Sequence, residues 1–532
     1  MLSSLDVSSV GMKFDCGCEF ETLDFDNIDL HCQASWDLIS NGLTKGLFQI
    51  EKQLGRRFCK MIAPRNIEEL AAVISVIRPG CLEAEYREDP ATGKMLNITD
   101  TYVKTKNGEL RPEYIDPVLE PIFRDTMGVP VYQEQIMRIC TDFAGFSLQD
   151  SDTARKAMGK KNTDLFEKIK DKFIKGAVEN NHSQDKAEIV FSWIEKFAGY
   201  GFNKSHAVSY AILGYWGAYS KVHFPIEFFK NKLAFSDSNP DEFDEIKQLV
   251  YEAKLFNINV LPPSVEFGNS QFEFTDNDDL VFGISHIKGI GKKSLENIKQ
   301  LKGIDTSYGL FKKLFLDKCK VKKNVVQALI KCNALAIPID RVRLLARYEF
   351  LLSLTDRERD FLFSEDFIDT CSVDDMIISL FDNNIPNKSR GPRIIEKWND
   401  IKRDLGGNRK RMALAWEKFH LGMPLSGSEV ELYNNYKVDT TCKDFLNLRH
   451  GDRVKVGVII EGIREIKDKN GNLMCFMKVS DNTYMMDGVT VFASQYNKLG
   501  WIIKEGKAVL IKGRKSDNSK GTGLLVNAIE HL

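Results

Sequence analysis

The run Gly283-Ile284-Ser285-His286-Ile287-Lys288-Gly289-Ile290-Gly291-Lys292-Lys293 decides most about how this chain folds and what it can hold. An apolar helix end, a G-x-G turn and a basic helix start make a helix-hairpin-helix pattern. The backbone N–H groups of such a turn form a nest for a phosphate, which grips a nucleic-acid backbone without reading its bases. Lys288, Gly289, Gly291, Lys292 and Lys293 are therefore the candidate contacts. Lys318 to Lys331 adds five lysines and no acid, extending the same basic face.

The pattern changes on either side of this run. From about residue 30 to 260 apolar residues recur at i, i+3 and i+4. Helices are expected over 67–77, 132–144, 164–180, 184–198 and 206–221, separated by Pro79-Gly80, Gly128-Val129-Pro130 and Asn180-Asn181. Residues 88–112 read as a loop or small hairpin. Two prolines within 261–274 end the helical pattern, and short helices resume over 281–350. Nine acids and two arginines lie between Ser353 and Asn383, then nine Lys/Arg and three acids between Lys388 and Arg411, a switch that marks a linker. From Asp452 onward RVKVGVII, NLMCFMKVS, GVTVFA, KAVLIKGRK and GLLVNAIE read as five short strands. A helix-like SQYNKLGWII between the third and fourth suits a small OB-type barrel. The expected fold is multidomain α+β: a mainly helical part, a helix-hairpin-helix module and a C-terminal OB-type β-barrel.

A length of 532 residues exceeds what one core sustains, so several domains are expected. With 74 Lys plus Arg against 75 Asp plus Glu, the net charge is −1, and any nucleic-acid signal must be local. A 43% hydrophobic and 28% charged composition excludes a disordered or collagen-like chain. No stretch approaches the ~18 apolar residues of a membrane helix, and MLSSLDVSSVGMKFD does not read as a signal peptide. Eleven cysteines without a C-x-x-C pair point to a reducing, cytoplasmic setting. Cys16, Cys18, His31 and Cys32 stand apart as a set that would supply tetrahedral zinc ligands, with ordinary packing as the other reading.

Two further clusters carry chemistry. Arg155-Lys156-Ala157-Met158-Gly159-Lys160-Lys161 opens a region, 155–175, with eight Lys/Arg and three acids. Guanidinium forks and ammonium groups hold phosphates, and the small residues between them let a polyphosphate approach; a solvated helix face is the plain alternative. In Phe197-Ala198-Gly199-Tyr200-Gly201-Phe202-Asn203-Lys204-Ser205-His206, two glycines interrupt a helical region and four polar residues open the next helix. Helix N-termini attract anions, and Tyr200 and Phe202 offer faces for a base. Asn203 or Ser205 also suits a plain N-cap.

GLFQIE (46–51), VISVIRPG (73–80), PVYQEQIM (130–137), ARKAMGKK (154–161), EKFAGYGFNKSHAVSYAI (195–212), VLPP (260–263), GISHIKGIG (283–291) and LGMPLSG (421–427) follow one another in order. Together they resemble the alpha subunit of bacterial replicative DNA polymerase III, a C-family polymerase, from about Trp36 to the C-terminus. The resemblance implies a nucleotide-binding fingers domain over 35–264 after an N-terminal Cys-containing segment, 1–34. It implies a duplex-binding module over 265–350, a linker with helices over 351–450 and an OB-fold over 451–532. Arg155, Lys156, Lys160 and Lys161 inherit contact with the incoming triphosphate, although Lys156 stands where the family usually has a second arginine. Asn203, Lys204, Ser205 and His206 match the nucleotide- and template-facing stretch. Leu380 and Phe381 fall where the family carries a sliding-clamp peptide, here with Ile377 in place of its glutamine.

The family's chemistry uses Mg²⁺ held by three palm aspartates. The motif with the first two is missing from these residues, and Asp15 is the candidate for the third. The resemblance thus implies DNA-templated DNA synthesis in which a separate palm-containing chain supplies the catalytic carboxylates. Its partners are primer-template DNA, deoxynucleoside triphosphates and a sliding clamp. A non-catalytic DNA-binding replication protein, using only the hairpin module and barrel, is the second reading. A zinc enzyme built on Cys16, Cys18 and Cys32 is a third, and it lacks a general base.

Overall fold

The computed structural model describes residues 24–160, 163–197, 201–236, 242–267, 271–365, 367–433, 437–518 and 521–532. These divide into two units, one ending at Phe224 and the other beginning at Pro225. The division falls well before residue 264, where the resemblance placed it.

The first unit is helical. Its described helices include α1 (Gln33–Ser40), α2 (Ile67–Val76), α3 (Ile98–Lys106), α4 (Gln133–Arg138), α5 (Leu148–Lys160), α6 (Thr163–Glu179), α7 (Gln184–Phe197) and α8 (Lys204–His223). The periodic segments fold as expected, with one departure: α4 passes into a π-helical turn over Ile139–Phe143. The 88–112 region differs more. It holds a hairpin, β1 (Glu85–Glu88) and β2 (Met95–Asn97), and then the helix α3, started by Asn97 accepting from Asp100 N–H at 2.7 Å. Its threonines hid the helix from a reading of periodicity, but Ile98, Tyr102 and Val103 are buried.

Small residues let α8 lie close to its neighbours. The Tyr215 ring packs tilted against Trp36 of α1, 4.5 Å between centroids, and its hydroxyl donates to Asp29 O at 2.7 Å. Lys221, fully buried, donates to the carbonyls of Leu43 (3.0 Å) and Lys45 (2.8 Å), so its ammonium ties down a turn. A second core gathers Phe143, Phe173, Phe191 and Phe197 from the π turn, α6 and α7. There Gly176 lies so close to Ala144 O that a Cβ has no room.

The second unit begins with α9 (Pro225–Ala234) and α10 (Glu242–Leu255). A small sheet follows, with β3 (Val260–Leu261) parallel to β5 (Leu280–Val281), and β4 (Glu273–Phe274) antiparallel to β5. Then come α11 (Ser307–Phe315), α12 (Lys323–Lys331), α13 (Arg341–Ser353), α14 (Asp356–Ser364), α15 (Val373–Asp382), α16 (Gly391–Leu405) and α17 (Arg409–Leu421). One apolar core runs from Phe229 through the sheet and hairpin region to Met423. The linker expected over 351–450 is therefore mostly packed helix. Most of its acids and bases lie outward, Glu358 and Glu417 being buried exceptions, while Leu362, Ile368, Met376 and Leu380 point inward.

The last five strands are β6 (Arg453–Lys467), β7 (Leu473–Ser480), β8 (Met485–Val491), β9 (Ala508–Asn518) and β10 (Gly521–His531). They close in the order β10-β8-β7-β6-β9, with β10 parallel to β8 and α18 (Ala493–Leu499) between β8 and β9. Those features are the OB topology. Lys247 of α10 pairs with Glu461 of β6 at 2.5 Å, and Tyr251 donates to Asp481 O at 2.9 Å, seating the barrel on the rest of its unit.

Candidate nucleotide and nucleic-acid interface

In the first unit the segment Val131-Tyr132-Gln133-Glu134-Gln135 draws the two basic clusters together. Buried Gln135 accepts from the N–H groups of Val131 and Tyr132, both at 2.8 Å, and donates to Ile122 O (3.0 Å) and Thr126 Oγ1 (2.8 Å). The extended backbone this fixes pairs with Phe202: Phe202 N donates to Val131 O (3.1 Å) and Gln133 N to Phe202 O (2.9 Å). Gln133 then reaches both clusters. Its Nε2 donates to Gly201 O at 3.1 Å, and its Oε1 accepts from Arg155 Nη1 at 3.3 Å.

Glu134 anchors the start of α8, accepting from Asn203 Nδ2 and from the Lys204 N–H, both at 2.9 Å. Asn203 Oδ1 accepts from His206 N (2.8 Å) and Ser205 Oγ (2.6 Å), so it is the N-cap as well as a tethered residue. The expectation of an open anion site at this helix start needs correction. The N–H of Lys204 already meets a carboxylate and that of His206 an amide oxygen. What remains outward is a set of side chains, with Asn203, Ser205 and His206 exposed. Phe202 lies under the Arg78 guanidinium at 3.6 Å, a cation–π stack. Gly201 sits against the Phe197 ring, where any Cβ would clash.

Arg155 donates from Nε (3.0 Å) and Nη2 (2.8 Å) to Asp152 Oδ1, and Lys156 Nζ lies 2.6 Å from Asp152 Oδ2. Lys156 and then Arg155 hold the Asp152 carboxyl below its ordinary range. These pairs are partly solvent-accessible, so each contributes little to stability. Lys160 ends α5, and its side chain lies outside the described residues, as do Lys161, Asp15, Cys16 and Cys18. The zinc set is not assembled as expected by the part described. Cys32 is buried with Sγ 3.4 Å from His223 Nε2, while His31 is exposed. Among the described residues no group of three or more His, Cys, Asp or Glu is placed to hold a metal ion.

In the second unit the hairpin is entered from a single helical turn, Ile284–His286, and leads into a continuous helical run made of Lys292–Ser294, Leu295–Ile298 and Lys299–Leu301. Ile287 and Ile290 are buried anchors, and Lys288, Lys292 and Lys293 are exposed. Gly289 has φ +100°, a conformation that glycine alone adopts at no steric cost. Gly291 has φ −83°, and a Cβ there would meet nothing within 4 Å. Neither conformation nor packing demands glycine at 291; a ligand approaching the backbone would.

Leu380 and Phe381 do not form the expected exposed peptide. Leu380 is fully buried in the helical core and Phe381 packs against Gly391, because their apolar face is what seats α15. They are not available as clamp anchors in this fold. Arg78, Gln133 and Glu134 were missed in the sequence. VISVIRPG and PVYQEQIM contain them, but only the fold shows Arg78 on Phe202 and the paired amide and carboxylate facing both clusters.

A basic helix held to a Gly-rich loop stands in a multidomain α+β chain that also carries a G-x-G hairpin and an OB-type barrel. Residues 17–181 match the family of the bacterial DNA polymerase III alpha subunit finger domain, and residues 257–341 match the helix-hairpin-helix motif. DNA polymerase III subunit alpha of Aquifex aeolicus is 32% identical over 92% of this chain and 38% of its own length. That of Thermus aquaticus is 29% identical, over 96% and 39%, and that of Bacillus subtilis 31%, over 92% and 41%. The chain is homologous to a part of the bacterial DNA polymerase III alpha subunit that contains the fingers domain and the hairpin module, and spans about two fifths of the length of these relatives. Among solved structures, the second OB-fold domain of replication protein A from Methanococcus maripaludis matches at 16% identity, covering 16% of this chain and 88% of that one with a TM-score of 0.14. The barrel's OB character rests on its strand order.

Proposed function

We propose that these residues are the nucleotide- and DNA-holding part of a replicative DNA polymerase, acting in the cytoplasm on primer-template DNA and deoxynucleoside triphosphates. The observation that carries this reading is Gln133, which joins Arg155 to the loop before Asn203 and so makes one basic surface of two separate sequence clusters. Arg155, Lys156, Lys160 and Lys161 meet the triphosphate. Asn203, Lys204, Ser205 and His206, beside the Phe202–Arg78 stack, face the base and the template. The hairpin around Gly289 and Gly291 grips the duplex backbone, and the OB-type barrel meets single strand. The described side chains do not fit a magnesium pair, and no step through the metal is assigned to them. The catalytic carboxylates come from outside the described residues and would be supplied in trans by a palm-containing chain.

Titration of a fluorescent deoxynucleoside triphosphate into the chain bound to primer-template tests this. Saturable binding is expected, with Kd raised about tenfold or more in Arg155→Ala, the loss of one charge-assisted contact. Equal binding by Arg155→Ala and wild type would remove the assignment.

A further inference from the structure

We propose that His420, at the end of α17, is a positioning residue for the hairpin, so that DNA affinity depends on a side chain far downstream of the motif. The inference rests on the reading of the hairpin as a DNA-backbone grip. Lys288 N donates to His420 O at 2.8 Å, and His420 Nδ1 lies 2.9 Å from Lys288 O. A carbonyl only accepts, so Nδ1 carries the proton. Both backbone groups of Lys288, the residue just before the left-handed Gly289, are thereby fixed by one residue. The Lys288 ammonium also lies 4.7 Å from the ring of Phe419, which is 60% exposed.

The platform itself is held firmly. Glu417, fully buried, accepts from Arg341 Nη1 (2.7 Å), Leu425 N (2.7 Å) and Ser426 N (2.9 Å). Its neighbour His420 is 9% exposed. A turn whose entry residue is clamped to such a helix end presents its N–H groups in one arrangement, and a phosphate nest depends on that arrangement. The open space outside Gly289 and Gly291 leaves that face free for the ligand.

The test is fluorescence anisotropy of a labelled primer-template with the full chain between 50 and 200 mM salt. His420→Ala is expected to raise Kd about tenfold and to flatten the salt dependence by about one phosphate contact. His420→Asn, whose amide donates from nearly the same place as Nδ1, is expected to restore both. Lys292→Ala/Lys293→Ala separates the two layers of the argument. Unchanged binding by that double variant overturns the hairpin reading, and this inference with it. Weakened binding by the double variant but wild-type affinity and slope for His420→Ala overturns the inference alone. Equal weakening in His420→Ala and His420→Asn with an unchanged slope marks a merely structural role and also overturns it.

Discussion

Gln133 is a neutral side chain whose worth lies in two hydrogen bonds of opposite sense. Glutamate in its place would keep the acceptor for Arg155 and lose the donor to Gly201 O. Gln133→Ala is expected to raise the nucleotide Kd about five- to tenfold, with Gln133→Glu intermediate; nucleotide titration of the three proteins checks the order. The basic residues themselves were legible in the sequence, because charge clusters with small residues between them are visible in one dimension. Their organisers were not. Arg78, Gln133 and Glu134 are ordinary surface types in sequence, and they gain meaning only when α4, α5 and the Phe202 loop meet. In sequence Asn203 reads as either a nucleotide-facing residue or a plain N-cap; the structure makes it the N-cap, with its amide also donating to Glu134.

At the scale of elements, helix starts were readable where they were looked for. Thr355 with Glu358 and Ser372 with Asp375 form capping boxes that begin α14 and α15. Both are plain in the sequence, yet the alternation of acidic and basic blocks drew the reading toward a linker. The buried Glu358 carboxylate also accepts from Thr355 N–H at 2.7 Å and from Arg390 Nε and Nη2 at 3.3 Å. Burial pushes its pKa up, but these hydrogen bonds outweigh burial and the net direction is down. A depressed folded pKa adds stability above the unfolded value, which is lost as pH falls through the folded one. Glu358→Gln should therefore melt at lower temperature than wild type at pH 7, with the gap closing as pH falls below the ordinary glutamate range. A gap independent of pH would contradict this.

Close backbone contact makes a second prediction about elements. Gly176→Ala pushes a methyl group into Ala144 O, where α6 crosses the end of the π turn. It should destabilise the first unit by about 1–3 kcal/mol, read as a lower melting transition. Gly291→Ala, with open space around it, should melt like wild type while binding duplex DNA more weakly. Melting curves and anisotropy on the two variants distinguish packing glycines from ligand-facing ones.

For the whole molecule, near-neutral charge averages over local basic clusters. Under the proposed function the first unit's clusters would take nucleotide, and the second unit's hairpin and barrel would take DNA. The order of modules was legible because each has its own local signature: helical period, G-x-G turn and strand alternation. The extent of each was not, because α9 and α10 look like any amphipathic helices and declare their core only by packing onto β3–β5 and the barrel. The same limit explains α15, whose apolar face reads equally well as a docking peptide until its burial is seen.

Primer extension tests whether these residues form the nucleotide- and DNA-holding part of a polymerase. The chain is mixed with a palm-containing polymerase III alpha fragment, Mg²⁺, all four deoxynucleoside triphosphates and a labelled primer-template, with each component also omitted in turn. Extension is expected only when both chains are present, and its loss when Arg155→Ala replaces the wild-type chain. Extension by this chain alone, or undiminished extension with Arg155→Ala, would contradict that assignment.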